Sequence, residues 1–206
     1  GIDASSNIIV TGFTTGALGG VNNGNTDIFV RKMSSSGAVA WTSQWGSSAL
    51  DQGTGVAVDS VGNIYISGLT QGDLGGSSSQ GSTDMFLMKI TSGGVASWTR
   101  VIGTASDDQA WAVTCRDDNA IYVAGHSDGT FPGHTNHGGQ DAVVVKYDSA
   151  GTQLASYTGG GSGNDYCNSM ALQPTSGIYC TGTTDGSLPG APGLGLFDFF
   201  VLHFAE

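Results

Sequence analysis

Basic residues are scarce in this chain. Its 206 residues include six Lys and Arg against 17 acids, for a net charge of −11, and Glu206 is the single glutamate. A nucleic-acid surface needs clustered cations opposite the phosphates, so that class of partner is excluded. No apolar run approaches the roughly 18 residues of a membrane-spanning helix. The longest stretch, 196–204, is interrupted by Asp198 and His203, so membrane insertion is not expected. No N-x-Ser/Thr acceptor, signal-like segment or initial Met occurs, which predicts a mature secreted product or a piece of something longer. Only 11% of residues are charged and strong helix formers are few, whereas there are 35 glycines and many Asp, Asn and Ser. These are turn residues, and the composition predicts short strands joined by tight turns in an all-β fold.

Three cysteines, Cys115, Cys167 and Cys180, follow no metal-ligand spacing. Cys180 occupies the place that Val10, Ile66 and Val123 hold in related segments, which reads as a small buried apolar residue. A disulfide between Cys167 and Cys180 stays open, since both belong to one hairpin. A turn at 174–177 nevertheless sets Cys180 nearer Met170.

Self-similarity is the main signal. Asp27, Asp84, Asp141 and Asp198 recur at intervals of 57 residues, opening DIFVRKM, DMFLMKI, DAVVVKY and DFFVLHF. A second set, NIIVTG, NIYISG, AIYVAG and GIYCTG, ends at Gly12, Gly68, Gly125 and Gly182. A third runs from Gly46 to Asp51, Gly103 to Asp108 and Gly160 to Asp165, and a fourth places Trp41 and Trp98 one period apart with Ala155 as the departure. The second copy reads as four strands, near 54–59, 63–70, 84–91 and 94–102. In its third strand Phe86, Met88 and Ile90 face one way and Met85 and Leu87 the other, so the sheet must be covered on both sides. A repeating four-stranded antiparallel unit buried against copies of itself is a β-propeller blade. The repeats fall near 1–46, 47–103, 104–160 and 161–206, roughly 3.6 of them, with the first and last blades incomplete. The two ends do not complete one blade. An arc is therefore expected, part of a longer propeller or closed by another chain.

The strings GVAVDSVGNIYISGLT, TDMFLMKI and GSSALDQG resemble the SBBP group of β-propeller repeats, whose pattern is D-x-x-G-N-x-Y-x-x-G followed by D-x-F-x-x-K. The resemblance runs over essentially the whole chain and implies the propeller fold with little about activity, such repeats occurring in many surface and extracellular proteins. The chain departs from the pattern at Arg116 and Gln173, where Asp59 has its equivalents, and at His203 in place of the recurrent Lys.

Long loops between strands two and three share one apolar position, Leu18, Leu74, Phe131 and Leu188, expected to plug the gap between blades. Blade connections bearing Asp51, Asp107, Asp108 and Asp165 are expected on the same side, making an acidic, glycine-rich face. Asp51, Asp108 and Asp165 are the candidate interaction residues. Carboxylates on Gly-rich loops suit calcium, but no D-x-D-x-D-G loop occurs, and Asp at turns caps its own backbone, so no cofactor is assigned. The strand-opening Asp residues are read as turn caps for the same reason. His126, His134 and His137 are the one histidine cluster; His134 and His137 are the metal candidates, against the simpler reading of exposed loop histidines. GHSDG at 125–129 has the G-x-S-x-G spacing but is one copy of the G-x-T/S-x-G loop motif that all four repeats share, so no nucleophile is assigned, and no phosphate cradle or distinctive acid pair appears. Three functions remain: a non-catalytic extracellular scaffold or protein-interaction module, completed by a protein partner or further copies; a glycan-binding propeller with Trp45, Trp111 and Tyr166 stacking on sugars while Trp41 and Trp98 pack between blades; and a propeller enzyme.

Overall fold

Strand propensity and a two-residue alternation of apolar side chains lay the chain out as antiparallel hairpins, which the computed structural model resolves for residues 1–117, 120–173, 177–193 and 196–205. Four sheets follow one another. The first contains β1 (Ile8–Thr14), β2 (Asp27–Met33) and β3 (Val39–Trp45); the second β4 (Asp51–Val58), β5 (Ile64–Thr70), β6 (Asp84–Ile90) and β7 (Ala96–Ile102). The third contains β8 (Asp108–Asp117), β9 (Ala120–Ser127), β10 (Asp141–Tyr147) and β11 (Gln153–Gly159), and the fourth β12 (Asp165–Leu172), β13 (Ile178–Thr184) and β14 (Asp198–Phe204). Strand order within every sheet is sequence order and every pairing is antiparallel. The inner edges run side by side, β1 against β4, β4 against β8 and β8 against β12, and the sheets form an unclosed arc.

The inner strand of the second blade starts at Asp51 rather than near residue 54. The Asp51 amide donates to the Thr26 carbonyl across the blade junction at 2.9 Å, and a bulge between Gly53 and Gly55 absorbs Thr54. The same bulge falls at Trp111 in β8 and at Asn168 in β12. It re-aims one side chain per inner strand.

Both faces of β6 are buried, as its alternation predicts. Phe86, Met88 and Ile90 join Ile9, Ile28 and Val30 of the first blade in one core, while Met85 and Leu87 join Val143, Val145 and Tyr147 of the third in another. A third core holds Ala142 and Val144 against Cys167, Ile178, Cys180 and Phe200. The loop residues plug these junctions: Leu74 is 1% exposed and Phe131 4%, and Leu188 packs against the third core. Leu18, whose neighbouring face has no blade on it here, is 44% exposed.

Outer strands are tied by a repeated clamp. Trp41 donates Nε1–H to the Ser92 carbonyl and Trp98 donates to Ser149, both at 3.2 Å, each indole lying on a hairpin glycine of the following blade, Gly94 or Gly151. Packing between blades, expected for these two residues, is what they do. Inner turns repeat as well. Asp59 accepts from the amides of Val61 and Asn63 and from Asn63 Nδ2, and Asp3 caps its turn in the same manner through Ser5 and Asn7. Gly62 completes the Asp59 turn at φ +89°, in the left-handed region where glycine has no Cβ to clash.

Cys167 and Cys180 are joined by a disulfide with their Cα atoms 5.7 Å apart. Cys180 does lie opposite Met170, as the turn implies, but the bulge at Asn168 shifts Cys167 opposite Gly182 and so onto the face that carries Cys180. Residues 174–176 of the expected turn, and Glu206, lie outside the described residues.

Candidate functional site

Blade junctions bury aspartates against a glycine, and at two of them aspartates of neighbouring blades share it. Asp84 and Asp108 meet at Gly103 and Asp141 and Asp165 at Gly160, and at the first junction Asp27 lies against Gly46. A Cβ on Gly103 would collide with Asp84 Oδ1 and lie 2.9 Å from Asp108 Oδ2; on Gly160 it would collide with Asp141 Oδ1 and lie 2.8 Å from Asp165 Oδ2. The spacing from glycine to aspartate in the third repeated motif is thereby explained.

These carboxylates accept from the connections beside them, through backbone amides and side chains, while Oδ1 of Asp27, Asp141 and Asp165 is buried with no partner. Asp27 Oδ2 accepts from the Asn23 amide and Gln44 Nε2, Asp84 from the Gln80 and Gly81 amides and Ser79 Oγ, and Asp141 from the His137 amide. Asp51 accepts from the Ser47 amide and Oγ and from Thr70 Oγ1, Asp108 from the Thr104 amide and Oγ1, and Asp165 from the Gly161 amide. Asp51, Asp108 and Asp165 are each 0% exposed, so the expectation that they form a contact face is corrected. An aspartate that opens an inner strand turns inward to satisfy the amides of the preceding connection, and a partner cannot reach it. Burial, reinforced by Asp84, pushes the Asp108 carboxyl up, and burial with Asp165 nearby does the same for Asp141. Asp107 is half-buried and accepts from Ser82 Oγ.

The histidines separate. His126 is 3% exposed, not a surface loop residue, and its Nδ1 accepts the Trp111 Nε1–H at 3.1 Å. Burial lowers its pKa despite Asp128 and Asp107 nearby, keeping the imidazole neutral. His134 Nε2 lies 3.0 Å from Ser156 Oγ, and His137 Nδ1 lies 3.6 Å from Asp141 Oδ2. Among the described residues no three His, Cys, Asp or Glu side chains converge on a point where a metal would sit.

Trp111 and Tyr166, two of the stacking candidates, meet through His126. The Trp111 and imidazole rings are stacked with centroids 6.2 Å apart, and Tyr166 meets the imidazole edge-on at 4.8 Å. The bulge in β8 places Trp111 there, whereas the other bulges present Thr54 and Asn168. The contact of His126 with Trp111 is not legible from the repeat, because it depends on the bulge that aims Trp111 across the β8–β9 pair, and Tyr166 comes from the next blade.

Trp45, the remaining candidate, lies elsewhere, in a cleft between the first two blades. Equivalent clefts occur at all three junctions, floored by Gly46, Gly103 or Gly160 and by the loop plugs Leu74, Phe131 or Leu188. Their volumes are about 290, 150 and 480 Å³. The residue ending each outer strand lines each cleft: Trp45, Ile102 and Gly159.

The family model of the SBBP β-propeller repeat matches residues 40–75 and 153–189. Both segments begin in an outer strand and run through the blade connection and the inner hairpin to the plugged loop, so the chain carries SBBP repeats in the phase that the sheets show. No curated protein matches the chain.

Proposed function

We propose that this chain is a non-catalytic structural and protein-interaction module of a β-propeller, working outside the cell or at its surface, whose end faces are completed by further repeats or further copies. The carrying observation is at β14. Phe199 and Val201 are 93% and 65% exposed, whereas Met85 and Leu87, their equivalents in the second blade, are 0% exposed beneath the next blade. Tyr179, equivalent to the fully buried Tyr65 and Tyr122, is 37% exposed beside them. At the opposite end Ile8 and Val10 are exposed where Ile64 and Ile66 are buried. An apolar sheet face of this kind loses water on association and is an interaction surface. The disulfide supports an oxidising compartment, and commitment of the recurrent Asp residues to turn amides favours a scaffold over acid-base chemistry.

Sedimentation of the 206-residue chain tests this. Concentration-dependent association, abolished by Phe199→Asp with Val201→Asp while the thermal melt stays cooperative, supports the reading. A wild-type chain that stays monomeric and melts cooperatively at every concentration overturns it.

A further inference from the structure

Residues repeated in every blade build the arc, so a set found at one junction alone calls for another account. Such a set stands where the third blade meets the fourth. Its aromatic part is Trp111, His126 and Tyr166, whose equivalents in the second blade's ladder are Thr54, Leu69 and Gln52. Its acidic part is Asp107, Asp128 and Asp185. The Asp128 amide donates to the Asp107 carbonyl at 2.9 Å and the Asp185 amide to the Asn164 carbonyl at 3.2 Å, whereas in the second blade the same rung joins two uncharged residues, Gln71 and Leu50.

The two parts lie together. His126 pairs with Gln109 and Thr183 with Tyr166, and Asp128 and Asp185 follow two residues after His126 and Thr183, at the ends of those strands. Burial first, and then Asp185 and Asp128, push the Tyr166 hydroxyl up. The Trp111 indole is fixed by its bond to His126 Nδ1 and is still 39% exposed, with Tyr166 half-buried and Asp128 and Asp185 exposed. Bonds from the Asn164 amide and Nδ2 hold the Asp185 carboxyl below its ordinary range, so it stays ionised. Each of the chain's six Lys and Arg has a partner away from these carboxylates, Lys89 and Arg100 on the 149–151 turn and Arg116 and Lys146 over Tyr122 among them. The platform is therefore preformed, and its negative charge is not answered from within the chain.

We propose that the Trp111–Tyr166 platform receives an arginine side chain of a basic protein partner. A guanidinium is planar and lies flat on an indole face, where the ring quadrupole attracts it, while its fork of N–H donors reaches carboxylates at the rim. An anionic ligand is repelled by the three aspartates, and a neutral one leaves their charge unpaired. The proposal rests on the reading of the chain as a protein-interaction module and assigns the partner its charge.

Calorimetric titration with a capped Gly-Arg-Gly-Arg-Gly peptide tests it. The control peptide carries citrulline, the neutral isostere of arginine, and a third carries lysine. Binding should fall tenfold or more with citrulline, threefold or more with lysine, and fivefold or more in Trp111→Ala and in Asp128→Asn. Asp128→Asn alters an exposed side chain, so it decides the matter if Trp111→Ala fails to fold. Asp73→Asn, at an exposed acid of the second blade, should leave binding within twofold. No binding of the arginine peptide at several millimolar overturns the site, as does binding that survives Asp128→Asn, or survives Trp111→Ala in protein with a cooperative melt. An equal loss in Asp73→Asn overturns it too, since that marks diffuse attraction to an acidic chain, and a lysine peptide bound as tightly as arginine overturns the guanidinium assignment. Sedimentation of the chain reads its end faces and not this platform, so the two readings fail separately.

Discussion

The indole of Trp98 in the second blade donates its Nε1–H to the main-chain carbonyl of Ser149 in the third, 3.2 Å away. Lys89 Nζ reaches the same carbonyl at 3.1 Å, and Arg100 Nε donates to Gly151 in the same hairpin, so three side chains of one blade hold one turn of the next.

Trp98→Ala should destabilise the arc by about 3 kcal/mol, at the low end for a large aromatic truncation because the indole is half-buried. Trp98→Phe keeps the ring but loses the bond and should cost about 1 kcal/mol. Urea unfolding of the two variants separates packing from hydrogen bonding. Equal losses would mean the bond carries the whole effect.

Gly103→Ala should cost about 2 kcal/mol, since its methyl meets two buried carboxylates that cannot both move. Gly93→Ala is the control, because the nearest atom to its Cβ is Thr91 Oγ1 at 3.8 Å and its φ is not positive. Denaturant midpoints of the pair check this, and a Gly103→Ala protein as stable as Gly93→Ala would contradict the account of the junction.

Asp108 and Asp141 have raised carboxyl pKa values, from burial first and a neighbouring aspartate second. A raised folded-state value means the folded protein binds the proton more tightly than the unfolded chain. The stability so contributed is complete below the unfolded value near about 4 and is lost as pH rises through the folded value. Asp141→Asn should therefore gain on the wild type as pH rises from 3 to 7, read as the difference in unfolding free energy along that series. A difference that is flat or moves the other way refutes the assignment.

Closing a 13-residue separation, the Cys167–Cys180 disulfide should contribute about 3 kcal/mol. Alkylation of the denatured chain without reductant should add one label, at Cys115, and after reduction three, both read by intact mass. Three labels before reduction would show the bond absent, and Cys167→Ser should lower the melting temperature.

Much of this architecture is readable along the chain because the repeats are local. The 57-residue interval, the alternation in DMFLMKI and the Asp-x-x-Gly-Asn turn each arise from neighbouring residues, and β6 and the Asp59 turn adopt the expected forms. Roles that depend on the adjacent blade were harder to read. Asp51, Asp108 and Asp165 look like solvent-facing turn residues, but they belong to the amides of the preceding connection and are buried. His126 looks like a member of a loop cluster with His134 and His137, but it sits on β9 beneath Trp111.

Periodicity and turn chemistry within one repeat are therefore enough to specify the blade: its four strands, its two apolar faces and the plugs of its long loops. Tertiary structure alone decided which side chains face a partner blade, which carboxylates share a glycine, and that a single-residue bulge at Asn168 carries Cys167 onto the face of Cys180. The reason is geometric. A one-residue shift in a strand moves a side chain to the opposite face, and the bulge at Thr54, Trp111 and Asn168 leaves no mark in the alternation of the inner strands along the chain.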